Sequence, residues 1–195
     1  MIHPKEAIVS FTNKCNLRCA MCDIPKNKDF INIPSDKLYR LIDDLAKIKC
    51  KNLVFSGGEP LVHRNIYDLV KHGSKKGLKV CITSNGTLIN KKNAKKLSDS
   101  KINVVNISVD GNENTHDKLR GKGNYKKAID ALENLREEGV ETTIAAIICR
   151  QNYKELVSII ELAKNKGATT VRFQPFSNDF LDKEDKNFFI TEKQG

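Results

Sequence analysis

The sequence lacks three features that would each place the chain in a different class of protein. No apolar run approaches the length of about 20 residues that spans a bilayer, which excludes an integral membrane protein of the helical type. The N-terminus, Met1–Lys5, is short and polar and leads directly into a predicted strand, so we expect no export signal and a cytoplasmic chain with reduced thiols. No aromatic residues are interleaved with the lysines, which argues against a nucleic-acid interface built on base stacking.

The chain also lacks the second ligand pair of a structural zinc site. Such sites take four Cys or His ligands, commonly as two closely spaced pairs. Here only Cys19 and Cys22 form a C-x2-C pair, and no Cys or His follows them before Cys50. Together with Cys15, the pair instead forms C-x3-C-x2-C, which places three thiols within eight residues.

This cysteine loop follows an apolar run, Ala7–Phe11, that predicts a strand. A loop leaving the end of a strand is able to bring all three sulfurs to one point. Thiolates are soft ligands that suit zinc and iron–sulfur clusters, and a four-iron cluster normally takes four of them. Three thiolates would leave one iron with an open position for a small molecule. We therefore predict an iron–sulfur centre at this loop, with a zinc site or a disulfide as the alternatives.

The length of 195 residues indicates one domain with a sizeable core. The net charge of +10 is unevenly distributed, because residues 1–100 hold 19 Lys and Arg against 9 Asp and Glu, whereas residues 101–195 hold 15 of each. Many of the excess lysines occupy predicted helices and their flanks, where a solvated face is the ordinary interpretation.

Short β-branched runs alternate with longer segments of helical periodicity. The six predicted strands are Ala7–Phe11, Leu53–Phe55, Leu78–Thr83, Ile102–Val109, Thr142–Cys149 and Thr170–Phe173. Strands separated by helices predict βαβ units and a parallel α/β sheet, either open or curled into a barrel. In both cases the ligand site lies beyond the carboxyl ends of the strands. The remaining cysteines, Cys50, Cys81 and Cys149, lie at a helix end or in strands and are expected in the core.

Polar and glycine residues collect at these predicted strand ends. Gly57-Gly58-Glu59-Pro60 ends the second strand, Thr83 and Asn85 lie at the end of the third, and Ser108 and Asp110 at the end of the fourth. Paired glycines allow close approach of a ligand to the backbone, and an acid is able to hold an amine, although each segment is also an ordinary turn.

Arg120 belongs to His116–Gly121, which is predicted to be a loop rather than part of the core. The histidines show no pairing along the sequence, and each of them is predicted to lie on the surface: His3, His63, His72 and His116.

The cysteine spacing followed by Gly-Gly-Glu-Pro after a buried strand resembles the radical S-adenosylmethionine (radical SAM) superfamily. The resemblance covers residues from about 5 to 175 and implies a partial (β/α)6 TIM-like barrel. It also implies that Cys15, Cys19 and Cys22 bind a 4Fe–4S cluster, whose fourth iron binds the amine and carboxylate of SAM. One departure is Met21, because the residue before the third cysteine is often aromatic in this superfamily.

The resemblance further implies a set of SAM-binding residues at the strand ends. Gly57, Gly58 and Glu59 would hold the methionyl amino group, and a side chain at Gly58 would occupy the ligand's space without disturbing the cluster. The carboxylate and ribose would be contacted by the polar strand-end residues and by an arginine suited to bidentate pairing with a carboxylate, namely Thr83, Asn85, Ser108, Asp110 and Arg120.

The sequence pattern is similar to the branch that matures ribosomal peptides or builds cofactors such as pyrroloquinoline quinone and molybdopterin. This implies an electron donor of the flavodoxin or ferredoxin type and a 5′-deoxyadenosyl radical that abstracts hydrogen from a peptide or small-molecule substrate. The alternative is a non-catalytic module that keeps the cluster or SAM pocket and uses its basic first half to hold a partner or precursor peptide.

Similar proteins usually continue into a cysteine-rich domain, whereas residues 176–195 here form a short charged tail without cysteine after a core domain of residues 1–175. This is the pattern of a minimal enzyme, of a truncated product, or of a chain completed by a partner subunit. The tail contains apolar residues that a solvated segment does not require. We expect part of it to pack on the last edge or the bottom of the barrel, with the mouth uncapped; these residues are Phe176, Phe180, Leu181, Phe188, Phe189 and Ile190.

Overall fold

Helices separate the six strands, with two helices between the fourth and fifth strands, in the residues that the computed structural model describes, 3–24, 29, 31–177 and 187–190. The elements in chain order are β1 (Glu6–Thr12), α1 (Ser35–Lys47), β2 (Asn52–Gly57), α2 (Ile66–Lys75), β3 (Lys79–Ser84), α3 (Lys91–Asp99), β4 (Val104–Ser108), α4 (Glu113–Arg120), α5 (Asn124–Glu137), β5 (Glu141–Ile148), α6 (Leu156–Lys166) and β6 (Thr170–Pro175).

The strands form one parallel sheet in the order β1-β2-β3-β4-β5-β6. Each strand pairs with its neighbours in the chain, as expected when every crossover turns in the same direction. A doubly wound sheet would reverse this order at a switch point. The sheet therefore has the strand order of a barrel, with β1 and β6 at its two edges.

All the buried apolar residues of the main core lie between one face of the sheet and the helices. Alternate residues of each inner strand point into this layer, for example Leu53 and Phe55 from β2 and Val105 and Ile107 from β4. The other face carries small and polar residues such as Ser56, Thr83 and Asn106. Helices on one face only are the arrangement of a barrel, so the predicted partial (β/α)6 barrel is confirmed.

Helix α4 replaces the loop that the sequence predicted for His116–Gly121. The Asn112 side chain caps its first turn by accepting a hydrogen bond from the Thr115 N–H at 3.1 Å. Gly121 ends the helix with φ 103°, a conformation that favours glycine. The helix carries Arg120 into the interior, where its side chain is only 11% exposed.

The described part of the tail packs at the mouth of the barrel, not on its edge or bottom as expected. Phe188 is buried in an apolar cluster with Cys19 and Met21 of the cysteine loop and Leu119 of α4. The segment is held at the carboxyl end of β5, where the Arg150 N–H donates to the Phe188 carbonyl at 3.0 Å. Of the tail residues singled out above, Phe180 and Leu181 lie outside the described residues.

Within the described ranges, no helix combines the length and the apolar character that a bilayer crossing requires.

Candidate functional site

The three thiols of the cysteine loop line one cavity of about 140 Å³ at the carboxyl ends of the strands. Apart from Met21 of the same loop, the other residues of its wall come from the ends of β2 to β5 and from α4. Together the lining residues are Cys15, Cys19, Met21, Cys22, Ser56, Gly57, Gly58, Thr83, Ser84, Asn85, Ser108, Arg120 and Ile147. The topology thus gathers residues that are more than 100 positions apart in the chain.

Most of the predicted site residues lie in this wall, and two do not. Glu59 and Asp110 are completely buried behind it. Three wall residues were missed, namely Ser56, Ser84 and Ile147. The alternation of side chains along β2 and β5 could have identified Ser56 and Ile147, because they lie on the inner face at strand ends.

The sequence led us to expect that all three sulfurs of the cysteine loop converge on one point. Among the described residues, no group of three or more His, Cys, Asp or Glu side chains is placed to hold a single metal ion. The three thiols do line one cavity. In an iron–sulfur cluster each thiolate binds its own iron, so the three sulfurs need not share one metal ion.

The cysteine loop is fastened to the end of β2 by the backbone of the Gly-Gly-Glu segment. The Gly58 N–H donates to the Thr12 carbonyl at 2.7 Å, and the Glu59 N–H donates to the Lys14 carbonyl at 2.8 Å. A Cβ atom on Gly58 would lie 2.3 Å from the Lys14 carbonyl oxygen. Gly58 is therefore required for contact with the cysteine loop itself. The expectation that a side chain there would disturb only the ligand is wrong.

Asn85 connects the end of β3 to the same loop. Its side-chain N–H donates to the Asn16 amide oxygen at 2.9 Å, and the Asn16 side chain in turn donates to the Thr87 hydroxyl at 2.8 Å. The Asn85 amide oxygen accepts from the Thr87 N–H at 2.9 Å, which fixes the side chain in the turn. Asn85 thus lines the cavity and also holds the segment that carries Cys15.

Glu59 is a positioning residue in this structure, because both of its carboxylate oxygens are occupied by its own chain. One oxygen accepts from the Ser84 hydroxyl at 2.9 Å and from the Leu61 N–H at 3.1 Å, and the other accepts from the Asn85 N–H at 2.8 Å. Burial raises the pKa of Glu59, whereas these hydrogen bonds oppose the rise. The acid ties the end of β2 to the end of β3 and does not present a carboxylate to the cavity.

Asp110 plays the corresponding part between β4, α4 and β5. One carboxylate oxygen accepts from the Ile147 N–H at 2.9 Å, and the other accepts from Nε of Arg120. Burial, the largest single influence, would lower the pKa of Arg120, but the Asp110 carboxylate together with Cys19 and Cys22 outweighs it and raises that pKa. Asp110 therefore keeps a charged guanidinium at the cavity wall. Asp110 itself is buried and does not line the cavity, and its direct contact with a ligand stays a prediction.

Two buried residues outside the predicted site complete this arrangement. The Asn152 side chain donates to the Asp110 carbonyl at 2.8 Å and to the Ile147 carbonyl at 2.6 Å, and it accepts from the Cys149 N–H at 2.8 Å. His116 is fully buried, and its Nδ1 accepts from the Asp110 N–H at 3.3 Å, which leaves the ring proton on Nε2. Neither residue has a sequence signal beyond its polar type.

The prediction of surface histidines is thus wrong for two of the four. His116 packs edge-on against the Tyr125 ring, and His63 is buried with its ring 5.3 Å from the Phe11 ring. In both cases an aromatic ring offers the imidazole an apolar contact that outweighs its polarity. His3 is exposed, and His72 is partly buried beside Asp43, 2.9 Å away.

The other three cysteines have different surroundings. Cys50 lies in the main core, as predicted, and Cys81 is half-buried on the inner face of β3. Cys149 is buried in the smaller apolar cluster that contains Cys19 and Met21.

Burial raises the pKa of Cys15 and of Cys19, and the charge of Arg120 opposes this rise at Cys19. Metal binding by these thiols therefore releases protons.

The sequence of the chain is similar to those of a known family and of several characterised proteins. The family model described as the radical SAM superfamily matches residues 9–163. The Fe-coproporphyrin III synthase of Methanosarcina barkeri is 37% identical over 145 residues, which are 73% of this chain and 36% of that protein. The GTP 3′,8-cyclase of Clostridium perfringens is 35% identical over 147 residues, which are 72% of this chain and 45% of that protein. The chain thus spans less than half the length of these relatives.

Solved structures share the fold. SuiB of Streptococcus suis bound to S-adenosylmethionine matches with a TM-score of 0.82 and 19% identity, over 97% of this chain and 43% of that chain. SuiB bound to the precursor peptide SuiA matches with a TM-score of 0.80 and 20% identity, over 94% of this chain and 43% of that chain. Identities this low show a common fold alone.

The contact at Gly58 generates a first prediction. In Gly58→Ala the new methyl group meets the Lys14 carbonyl, so the cysteine loop must move, at a cost of roughly 1–3 kcal/mol in the free energy of unfolding. The displaced loop should expose Cys15 to alkylation by iodoacetamide, measured by mass spectrometry of the folded chain. Gly139→Ala is the control: its methyl group meets nothing within 4 Å, and its φ of 68° costs about 1–2 kcal/mol. Equal Cys15 labelling in the two variants would contradict the proposed contact.

The buried His116 generates a second prediction. Burial and then the charge of Arg120 lower its pKa to about 4, although Asp110 and Asp117 oppose them. The unfolded chain, with a His pKa of about 6.5, binds more protons between these two values, so stability falls as the pH falls through this window. By pH 5 the loss should reach about 2 kcal/mol, measured by urea unfolding at pH 7 and pH 5. His116→Asn should remove this loss, while the exposed His3→Asn should not. The same pH dependence in wild type and His116→Asn would refute the assignment.

Proposed function

The chain belongs to the radical SAM superfamily, and from this premise we propose that Cys15, Cys19 and Cys22 hold a 4Fe–4S cluster beside a bound SAM. The superfamily uses both groups. The observation that carries the proposal is the cavity in which the three thiols and the strand-end residues meet. When bound, the cluster and SAM supply a 5′-deoxyadenosyl radical that abstracts hydrogen from the substrate.

The residues of the cavity fit these two groups. Three soft thiolates that line one cavity suit three irons and leave the fourth for SAM. The hydroxyl groups of Thr83 and Ser108 and the guanidinium of Arg120 line the same cavity and offer hydrogen-bond donors for a carboxylate and a ribose. The Gly57 and Gly58 backbone also lines it and offers carbonyl acceptors for an amine.

Two buried carboxylates position residues of the cavity wall but do not line the cavity themselves. Asp110 holds Arg120 charged and oriented before any ligand arrives, which lowers the entropy that binding would otherwise cost. Glu59 fixes the backbone at Asn85 and so the relative position of β2 and β3. The apolar contacts of Met21 and Ile147 exclude water from the same space.

We propose a peptide or a cofactor precursor as the substrate. SuiB, which shares the fold, has a solved structure with the precursor peptide SuiA bound, and the relatives include Fe-coproporphyrin III synthase and GTP 3′,8-cyclase. A cytoplasmic setting and a flavodoxin- or ferredoxin-type electron donor belong to the same proposal, as does a partner subunit or further domain that completes the site. Residues 1–175 would form the radical SAM core, with residues 176–195 as its C-terminal segment.

A second candidate function is a binding module. Four lysines, Lys5, Lys49, Lys51 and Lys79, line a groove of about 730 Å³ at the opposite end of the barrel, and its lining contains no acidic residue. Such a groove favours an acidic partner or precursor peptide through charge complementarity. This function would leave the cluster or SAM pocket in place but without turnover.

The test is anaerobic reconstitution with iron and sulfide, followed by reduction in the presence of SAM. Wild type should bind about four irons per chain and form 5′-deoxyadenosine. Replacing Cys15, Cys19 or Cys22 by Ala should abolish both, because two thiolates do not retain the cluster. The control Cys81→Ala should keep both and lose at most roughly 1–3 kcal/mol of stability.

Two results would count against the proposal. Retention of four irons by Cys22→Ala, with their loss in Cys81→Ala, would overturn the ligand assignment. A fully assembled cluster that binds SAM but yields no 5′-deoxyadenosine would instead support the binding module.

A further inference from the structure

A phenylalanine from the tail is buried against the cysteine loop. The Phe188 side chain is only 7% exposed and belongs to an apolar cluster with Cys19, Met21, Leu119 and Cys149. This cluster is separate from the main core between the sheet and the helices. The packing of this cluster therefore stabilises the cysteine loop and the residues next to that loop, rather than the barrel as a whole.

The segment 187–190 is attached to the barrel by backbone and side-chain hydrogen bonds. The Arg150 N–H donates to the Phe188 carbonyl at 3.0 Å, and the Gln151 side chain donates to the Asn187 carbonyl at 3.0 Å. The ring of Phe176, which follows β6, packs at an angle against two rings of this segment. Its centroid lies 5.3 Å from that of Phe188 and 5.2 Å from that of Phe189. These contacts fix the position of the Phe188 ring.

The two ends of the cysteine loop are held in different ways. The end with Cys15 is fastened by hydrogen bonds from the Gly58 and Glu59 backbone and from the Asn85 side chain. Near Cys19, the Ala20 N–H donates to the Leu119 carbonyl at 2.8 Å, and apolar packing supplies the other contacts. Phe188 is the largest of the buried side chains in that cluster, and the partly buried Phe176 packs against the cluster as well.

We propose that Phe188 is a positioning residue for the Cys19 thiol, so that segment 187–190 is part of the metal site rather than a passive tail. The proposal rests on the function proposed above for Cys19 as a cluster ligand. Phe188 belongs to the cluster that contains Cys19 and Met21 and does not line the cavity, so it acts through the packing of these residues. Cys149 is buried in the same cluster, so a second thiol is protected by the same packing.

The experiment measures alkylation of each thiol in the folded, cluster-free chain by mass spectrometry with iodoacetamide. Phe188→Ala should raise the labelling rate of Cys19 and Cys149 at least about tenfold relative to Cys50, because a locally opened segment exposes the thiols beneath it. Cys50 lies in the main core and reports global unfolding. The matched control is Phe189→Ala, which removes the neighbouring ring from the same segment and should leave Cys19 within about twofold of wild type.

A second measurement follows the reconstituted chain. Phe188→Ala should release iron to a chelator faster than either wild type or Phe189→Ala. If wild type assembles no cluster, the proposed function fails, while the alkylation of the cluster-free chain still decides the role of Phe188.

Labelling of Cys19 in Phe188→Ala at the wild-type rate would overturn the proposal. If Cys50 becomes reactive as well, the variant has unfolded globally, and Phe188→Leu takes its place because it retains an apolar side chain. In that variant, faster labelling of Cys19 with a protected Cys50 supports the proposal. Labelling of Cys19 at the wild-type rate overturns it.

Discussion

The close approach of the Gly58 backbone to the cysteine loop is the constraint on which the site depends. A Cβ atom on Gly58 would come within 2.3 Å of the Lys14 carbonyl oxygen, and a Cβ atom on Gly57 within 2.3 Å of the Thr12 carbonyl oxygen. Only glycine permits this distance, and the approach allows two backbone hydrogen bonds to form across it. As a result, the loop that carries three thiols is held to the end of β2 without a bound cofactor. The other contacts to the loop described above add to this attachment.

Two buried carboxylates then organise the remaining strand ends. Burying a carboxylate is costly unless hydrogen bonds or a paired cation compensate it. Glu59 accepts three hydrogen bonds, and Asp110 accepts one from Ile147 and pairs with Arg120. The resemblance to the superfamily assigned both acids to direct contact with SAM. The structure instead gives them to the scaffold, and it leaves hydroxyl groups, glycine backbone and one guanidinium at the cavity wall.

Local and periodic patterns made most of the fold predictable, whereas long-range packing did not. Alternating runs located all six strands, and the cysteine spacing located the loop, because each pattern lies within a short stretch of chain. Helix α4 was missed because its apolar content is low and its cap, Asn112, also suits a turn. The burial of His116 and the packing of Phe188 in one cluster with Cys19 depend on residues far apart in the chain, so no local signal marks them.

The central claim is that three thiolates hold a four-iron cluster with one iron open to SAM. Electron paramagnetic resonance of the reduced, reconstituted chain, recorded with and without SAM, tests it most directly. We expect the signal of a reduced 4Fe–4S cluster whose g-values change when SAM is added, since SAM would bind to the open iron. A cluster signal that SAM leaves unchanged, or a chain that takes up a single metal ion, would contradict this claim.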